Sequence, residues 1–285
     1  MTKRKDKSWT PLLRRLSQLA FGVFILVASI RHALASTDGA LPSTDAYCPF
    51  GGLETLWKLA TQGTFISKTH PSNIVLALGL LVGTVLVGGA FCGWVCPFGG
   101  LQDLLTWVRQ RLHLPELKVP ARVDRVLGFG RYVVLGGILY ATVQTGKMWF
   151  ADYDPYRTIF SLGWLFEFNW AEAWPAYVVS LAVIVGAFFV PRLWCRYLCP
   201  LGGVISLVQR VSLFRIRRNP ATCIHCKKCD KVCPVGIQVS QKKSVTAGCI
   251  SCLKCVETCP VKDTLYVGLI VEPAGTTSAP KEGIA

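Results

Sequence analysis

The chain has 285 residues, of which 52% are hydrophobic, and its mean hydropathy is +0.42. This composition is too apolar for an ordinary soluble domain and predicts a membrane protein with a soluble appendage. The formal net charge is +15, but the basic residues occur in blocks between apolar runs, as in the cytoplasmic loops of membrane proteins. The pattern therefore argues against a nucleic-acid partner, the other common reason for so basic a chain.

The chain begins with a basic segment and a first apolar run. Residues 1–15 carry six Lys and Arg side chains against one acid, and residues 16–30 are apolar. The run is short, and Ala33 and Ala35 have the spacing of a signal-peptide cleavage site. We interpret the run as an uncleaved helix, because Arg31 can reach the membrane interface. Both interpretations place the residues that follow on the outer side.

Three further apolar runs follow. They cover residues 74–91, 126–145 and 174–190. Together with the first run they predict four membrane helices within a domain at 16–205, since about 20 apolar residues cross the hydrocarbon core. The segments 36–73 and 146–174 each hold only two Lys or Arg, whereas the segments on the other side are basic. The positive-inside rule therefore predicts a multi-pass protein of the bacterial inner membrane with both termini in the cytoplasm.

Residues 223–260 contain eight cysteines in two copies of the pattern C-x2-C-x2-C-x3-C-P. A two-cluster bacterial ferredoxin holds two [4Fe–4S] clusters with this spacing, and the fourth cysteine of each copy ligates the other cluster. The pattern predicts a two-cluster, ferredoxin-like α+β domain at 206–271. The predicted ligand sets are Cys223, Cys226, Cys229 and Cys259 for the first cluster, and Cys249, Cys252, Cys255 and Cys233 for the second.

Two other uses of these cysteines fit the pattern less well. Paired C-x2-C motifs also build tetrahedral zinc sites, but zinc takes four ligands and leaves the regular third cysteine and the C-P pairs unexplained. A disulfide scaffold is disfavoured because the predicted topology places the cysteines in a reducing compartment. We interpret His225 as a loop residue, and the tail at 272–285 as disordered because it is rich in Gly, Pro, Ser and Thr.

Two matching cysteine motifs lie in the predicted membrane domain. Cys92-x3-Cys96 and Cys195-x3-Cys199 are each followed by Pro-x-Gly-Gly, and each follows an even-numbered apolar run. The four runs therefore resemble two tandem copies of one helical hairpin, related by an axis along the membrane normal. Residues four apart on a helix share one face. The two pairs could hold a further iron–sulfur or metal centre or act as redox dithiols, and the sequence leaves both alternatives open.

The order of these motifs resembles that of a known family over residues 10–265. The chain is similar to the membrane ferredoxin-type subunit of the quinol dehydrogenase that serves periplasmic nitrate reductase (NapH-type). The same order occurs in a broader group that includes the nitrous-oxide regulator NosR and a cytochrome oxidase assembly ferredoxin (CcoG-type). The resemblance implies an electron-transfer component of a quinol dehydrogenase complex in an anaerobic respiratory chain. It would link the quinone pool to an iron–sulfur, cytochrome or flavin partner subunit.

A quinone site would need aromatic walls and a protonatable group. The candidates are His32, His70, Tyr153 and Asp154 at the outer side and His113 at the inner side. We interpret Cys48 as structural, although its Cys-Pro-Phe-Gly-Gly context echoes the inner motifs. No C-x-x-C-H motif occurs, so a c-type haem on this chain is excluded. The alternative function is a cytoplasmic-side metal reductase or maturation factor, in which the C-x3-C pairs bind or reduce a metal.

Overall fold

The computed structural model describes residues 9–34, 48–64, 71–117, 119–145, 150, 153–161 and 170–270. Helices dominate the described residues as far as the 3₁₀ turn Gln209–Val211, and a small sheet with two short helices follows. Most of the predicted basic N-terminus, His70 and the predicted disordered tail at 272–285 lie outside the described residues.

The helical part consists of elements that begin repeatedly with proline, whose fixed φ suits the first turn of a helix. Two short π turns, Phe91–Val95 and Trp194–Leu198, interrupt the helices at the C-x3-C motifs. The helices are α1 (Thr10–Leu34), α2 (Pro49–Gln62), α3 (Pro71–Val87), α4 (Pro97–Arg111), α5 (Ala121–Leu127), α6 (Gly130–Thr145), α7 (Pro155–Phe160), α8 (Trp170–Phe189) and α9 (Pro200–Val208).

Among the described residues, two helical stretches are long and apolar enough to cross a membrane, Thr10–His32 and Arg122–Thr145. The predicted second and fourth spans correspond to shorter apolar helices at Ser72–Val87 and Ala173–Phe189. Many large apolar side chains on these helices point away from the protein, as with Leu19, which is 64% exposed. Such exposure fits side chains that face lipid, which is as apolar as they are.

The predicted outer loop at 36–73 contains a helix, which the sequence interpretation missed. Helix α2 packs against α3 and α6, and it buries Glu54 and Thr55. The Glu54 carboxylate accepts a hydrogen bond of 3.0 Å from the Thr142 hydroxyl on α6. The helix ends at Gly63, whose φ of 67° is a left-handed conformation that glycine adopts without strain. The helix has only 14 residues and mixes polar with apolar side chains. Its composition therefore did not indicate a membrane span, and the segment was interpreted as a loop.

An aromatic cluster fills the centre of the helical part. Phe150 stacks on Trp194 with ring centroids 6.4 Å apart, and Phe98 meets the same Trp194 edge-on at 6.3 Å. Phe50 of α2 contacts Phe150 edge-on at 5.8 Å. These geometries are the ones that aromatic quadrupoles favour. The cluster therefore joins α2 to the π turn that contains the second C-x3-C motif.

The C-terminal part folds as a small α+β domain. Its strands form one antiparallel sheet in the order β2-β1-β3, and Ile216 in the central strand lies opposite both Val245 and Val267. Ile216, Val245 and Leu265 form a buried core that the cysteine loops cover. The elements are β1 (Phe214–Arg218), α10 (Lys228–Lys231), β2 (Ser244–Val245), α11 (Lys254–Thr258) and β3 (Leu265–Leu269).

The C-terminal domain is fixed to the helical part by backbone contacts. The Leu213 amide donates to the carbonyl of Val85 on α3 at 2.7 Å, and Leu213 in turn accepts from Ile270 at 2.9 Å. The Gln209 side-chain amide donates to the carbonyl of Thr246. The start of the domain therefore contacts the end of α3 that precedes Cys92, and the end of β3 is joined to that start. These contacts, and not a flexible linker, set the orientation of the domain toward that motif.

Candidate iron–sulfur sites

The two ferredoxin motifs surround two separate cavities. The first cavity is lined by Cys223, Cys226, Cys229 and Cys259, and the second by Cys233, Cys249, Cys252 and Cys255. Each cavity thus has three cysteines from one motif and one from the other, as the spacing predicts. The charged residues on the walls are basic, Arg218 and Lys227 in the first cavity and Lys254 in the second, which suits an anionic cluster.

The backbone of the two motifs repeats the same unusual turns. His225 and Lys227 have φ values of 53° and 55°, and the matching Ser251 and Leu253 have 46° and 60°. Left-handed residues alternating with right-handed ones aim successive N–H groups into one concavity, an arrangement common at iron–sulfur sites. Such conformations cost free energy for residues other than glycine. Their occurrence at equivalent positions therefore indicates loops shaped around a bound group.

The thiols themselves have properties suited to metal binding. Burial raises the pKa of the Cys249 thiol to about 12 and that of the Cys229 thiol to about 11. Without a cation, these side chains stay protonated at neutral pH, and a bound metal would displace the protons. Over the described ranges, no three His, Cys, Asp or Glu side chains are close enough to share one metal ion. The eight thiols fit clusters in which each iron takes one thiolate.

The C-x3-C cysteines do not lie on one α-helical face, and that prediction was wrong. Cys92 lies within the π turn Phe91–Val95, and the Cys96 amide donates to the Phe91 carbonyl at 2.9 Å. Cys195 and Cys199 occupy the same places in the other π turn. The reason is the proline that follows each motif, which begins a new helix and turns the chain there. Inserted π turns occur frequently at functional sites.

The structure brings the two C-x3-C motifs together. Cys96, Cys195 and Cys199 all pack against the aromatic cluster, and the Gln102 amide donates to the Cys195 sulfur at 3.2 Å. The charge of a thiolate at any one of these positions would act on the others, including buried Cys92. The arrangement gathers four soft ligands in one region. They are too far apart to share a single metal ion, so the region fits an iron–sulfur cluster with one thiolate on each iron or two dithiols.

A buried ion pair that sequence reasoning missed supports these motifs. The Arg192 guanidinium, fully buried, donates to both carboxylate oxygens of Asp103 at 2.7 and 3.0 Å and to the Cys92 carbonyl at 2.7 Å. Burial alone would raise the pKa of Asp103, but Arg192 holds it well below its usual range. No local spacing in the sequence relates these two residues, which are 89 positions apart.

The second ferredoxin cavity lies against the first C-x3-C motif. Trp94 donates to the Ser251 carbonyl at 3.0 Å, and the Ser251 hydroxyl donates to the Val87 carbonyl at 3.1 Å. Ile250 is buried in an apolar cluster with Cys92, and Cys252 packs against the same cluster. No side chain could be accommodated at Gly93, because an added Cβ would meet the Ile250 carbonyl. Cysteines of the two parts of the chain are thus neighbours.

The other C-x3-C motif contacts the same domain through a side chain. Arg196, which follows Cys195, forms an ion pair with Asp124 at 2.5 Å. Its guanidinium lies directly against Gly236, where φ is 70° and a Cβ would collide with it. Gly93 and Arg196 are at equivalent positions of the two motifs. The two halves therefore hold the ferredoxin domain differently, one by close backbone contact and one by a long cationic side chain.

The residues that the sequence suggested as candidates for a quinone site lie in different parts of the structure. Asp154 caps α7 and is near enough to Cys96 for their charges to interact, and Tyr153 precedes it in the chain. His113 is exposed beyond the end of α4, and His32 lies in the last turn of α1. Cys48 caps α2, as Cys96 caps α4. Among the described candidates, Asp154 therefore lies beside the C-x3-C cysteines.

Comparison with known families supports the same chemistry. A family described as "4Fe-4S binding domain" matches residues 69–115 and again 172–219, once around each C-x3-C-P motif. A second family, "4Fe-4S dicluster domain", matches residues 215–265. No solved structure matches the chain. The repeated match supports the internal repeat that the sequence predicts.

Three relatives indicate the family. The methylamine utilization ferredoxin-type protein MauN of Methylobacillus flagellatus is 31% identical over 78% of this chain and 75% of its own length. The putative electron transport protein YccM of Escherichia coli is 31% identical over 80% of this chain and 66% of YccM. The regulatory protein NosR of Pseudomonas aeruginosa is 34% identical over 52% of this chain, which spans only 20% of NosR. The resemblance seen in the motifs is confirmed, and the chain belongs to this family of 4Fe-4S ferredoxin-type membrane electron-transport proteins.

Proposed function

We propose that the protein is the membrane iron–sulfur subunit of a quinol dehydrogenase complex in an anaerobic respiratory chain. It links the quinone pool to a partner iron–sulfur, cytochrome or flavin subunit. The observation that carries the proposal is the contact between the loop Gly248–Cys252 and the π turn Phe91–Val95. This contact between the second ferredoxin cavity and the membrane cysteines supports a proposed series of three cysteine sets.

The ferredoxin domain is proposed to hold two [4Fe–4S] clusters in the two cavities. When bound, each supplies one-electron transfer. The chain's own residues provide the thiols, a basic wall at Lys227 and Lys254, and an apolar cover at Ile250 that excludes water from the side nearest the membrane part. Burial and charge around a cluster set its reduction potential, and these residues differ between the two cavities.

The C-x3-C cysteines are proposed to hold the next redox group in the series. A shared iron–sulfur centre at Cys92, Cys96, Cys195 and Cys199 and a pair of dithiols remain the two alternatives. The quinone is proposed to bind at the edge of the aromatic cluster, where the partly buried Tyr156 and Phe160 provide apolar walls. Asp154 is the protonatable group there, and its carboxylate would accept a proton that quinol releases on oxidation.

We further propose four membrane helices, arranged as two tandem hairpins. The supporting observations are the matching π turns and the two shorter apolar helices that follow the predicted pattern. The domain limits are those of the sequence prediction, with a basic N-terminus at 1–15, a membrane domain at 16–205, a ferredoxin domain at 206–271 and a tail at 272–285. The charge distribution supports a cytoplasmic ferredoxin domain, and α1 is proposed to remain uncleaved.

Quinol oxidation by membranes that contain the protein tests the function. Addition of a short-chain quinol should reduce the clusters, and the double variant Cys92→Ser, Cys199→Ser should abolish this reduction while the ferredoxin clusters remain. Cys48→Ser is the matched cysteine control and should behave as the wild type. If the double variant loses bound copper or iron while quinol still reduces the clusters, the metal reductase or maturation function is supported instead.

A further inference from the structure

The two ferredoxin cavities have opposite surroundings. The loop beside the second cavity is covered by the membrane part through Trp94 and Gly93. The residues that line the first cavity all belong to the ferredoxin domain, and Cys226 on its wall is exposed. Ile224, on the same wall, is 49% exposed. The first cavity is therefore the cysteine-lined cavity that a soluble molecule can approach.

The surface around Cys226 is strongly basic. Residues 219–264 contain seven Lys and three acidic residues. Five of these lysines are exposed on neighbouring segments, and we name them the basic rim: Lys227, Lys228, Lys231, Lys242 and Lys243. The acid nearest in sequence, Asp230, offsets only one of the five lysine charges, and its carboxylate accepts hydrogen bonds from the Ser240 amide and hydroxyl.

The same hydrogen bonds hold the rim together. Asp230 lies on α10 between Lys228 and Lys231, and Ser240 belongs to the 3₁₀ turn that leads to Lys242. The pair Asp230–Ser240 thus fixes two lysine-bearing segments side by side. Arg218, which lines the first cavity, donates to the Lys242 carbonyl at 3.2 Å. The rim is therefore tied to the cavity wall by hydrogen bonds.

We propose that the basic rim is the docking surface for an acidic, soluble one-electron carrier protein, with Cys226 and Ile224 at the centre of the contact. The inference rests on the proposed function, since it requires a cluster in the first cavity. One electron crosses the contact in each encounter. A reduced carrier would give up this electron to the group in the first cavity, which the thiols of Cys223, Cys226, Cys229 and Cys259 would hold. An oxidised carrier would accept an electron from that group.

The physical argument is one of steering. Transient redox complexes bury little surface, so that their specificity and rate depend on complementary charge more than on area. A cationic ring around an exposed apolar centre raises the local concentration of an acidic partner and can speed association by a factor of about 10–1,000 at low salt. The central Ile224 gives a dry contact beside the thiol, which the lysines alone would not provide.

The test uses the full-length protein in nanodiscs of zwitterionic lipid and an acidic [2Fe–2S] ferredoxin, reduced beforehand, as the probe. The variant Lys228→Glu, Lys231→Glu should slow reduction of the protein by about tenfold or more at low salt, and the wild-type rate should fall as salt is added. The matched control is Arg122→Glu, Arg125→Glu, which makes the same charge change at two exposed positions of α5 and should leave the rate nearly unchanged. Photoreduction by uncharged deazariboflavin should be equal in all variants.

Two outcomes would overturn the proposal. The first is an equal rate with the ferredoxin for the rim variant and its control. The second is an unchanged rate for the rim variant combined with weaker binding of the full-length protein in nanodiscs to phosphatidylglycerol vesicles, which would assign the rim to the lipid surface. If deazariboflavin reduces no cluster even in the wild type, the proposed function fails as well, and this result separates the two failures.

Discussion

Gly93 provides the sharpest test of the contact between the two parts of the chain. In Gly93→Ala the new Cβ would lie closer than 3.0 Å to the Ile250 carbonyl oxygen and 3.4 Å from its carbon. The neighbouring atom is backbone and not a flexible side chain, so it cannot rotate away. The loop Gly248–Cys252 must therefore retreat by roughly 1 Å to restore ordinary van der Waals separation.

The cost follows from this displacement. Overpacking by one methyl group in a tight contact costs about 1–3 kcal/mol, and loss of the 3.0 Å hydrogen bond from Trp94 to the Ser251 carbonyl would add about 1 kcal/mol. Since about 1.4 kcal/mol is a factor of ten in an equilibrium constant, the undocked state should become at least fivefold more populated. The substitution replaces none of the four cysteines that line the second cavity, although Cys249 and Cys252 move with the loop.

Hydrogen–deuterium exchange of the purified protein measures this opening. Amides of residues 248–253 should exchange at least fivefold faster in Gly93→Ala, while iron content stays equal to that of the wild type. Gly136→Ala is the control, because an added Cβ there meets nothing within 4 Å and alanine stabilises a helix relative to glycine. Unchanged exchange of residues 248–253 in Gly93→Ala would refute the docking argument.

Two further predictions concern single side chains. Arg192→Gln should lower the thermal stability of the detergent-solubilised protein by the equivalent of about 3–5 kcal/mol, because it leaves Asp103 buried with only the more distant Arg14, at 3.3 Å, as an ionic partner. Arg192→Lys, which keeps the charge, should lose less stability. Equal losses for the two variants would contradict the importance of the charge. Cys226→Ser should reduce bound iron by about one cluster in an iron and acid-labile sulfide assay. His225→Asn should keep the iron content of the wild type, because asparagine also tolerates a positive φ. Iron loss in both variants would make His225 a ligand.

The sequence predicts the first three cysteines of each set because their geometry is local. In the second motif, two residues separate Cys249 from Cys252 and Cys252 from Cys255, so the loop has few ways to arrange the three thiols. The structure places them around one cavity. The apolar helices were predictable for a similar reason, since composition over about 20 residues decides whether a segment suits the membrane. Helix α2 was not predicted, because it is too short and too polar to meet that criterion.

The site between the two parts was not predictable from one sequence. Arg192 and Asp103 are 89 residues apart, and Trp94 and Ser251 are 157 residues apart. Nothing in local spacing relates such positions, because their approach depends on how the helices and the ferredoxin domain pack. The π turns at Cys92 and Cys195 were hidden as well, since the i and i+4 spacing of the cysteines also fits an ordinary α-helix.

The amino-acid sequence by itself determined the chemistry of this protein, because the order and spacing of its cysteines fix which thiols can share a cluster. It also determined the apolar segments, because hydropathy is summed along the chain. Only the tertiary structure decided that Cys252 lies beside Cys92 and that Cys226 remains at the surface. The physical reason is that both facts depend on long-range packing, in which glycines such as Gly93 allow two backbones to meet.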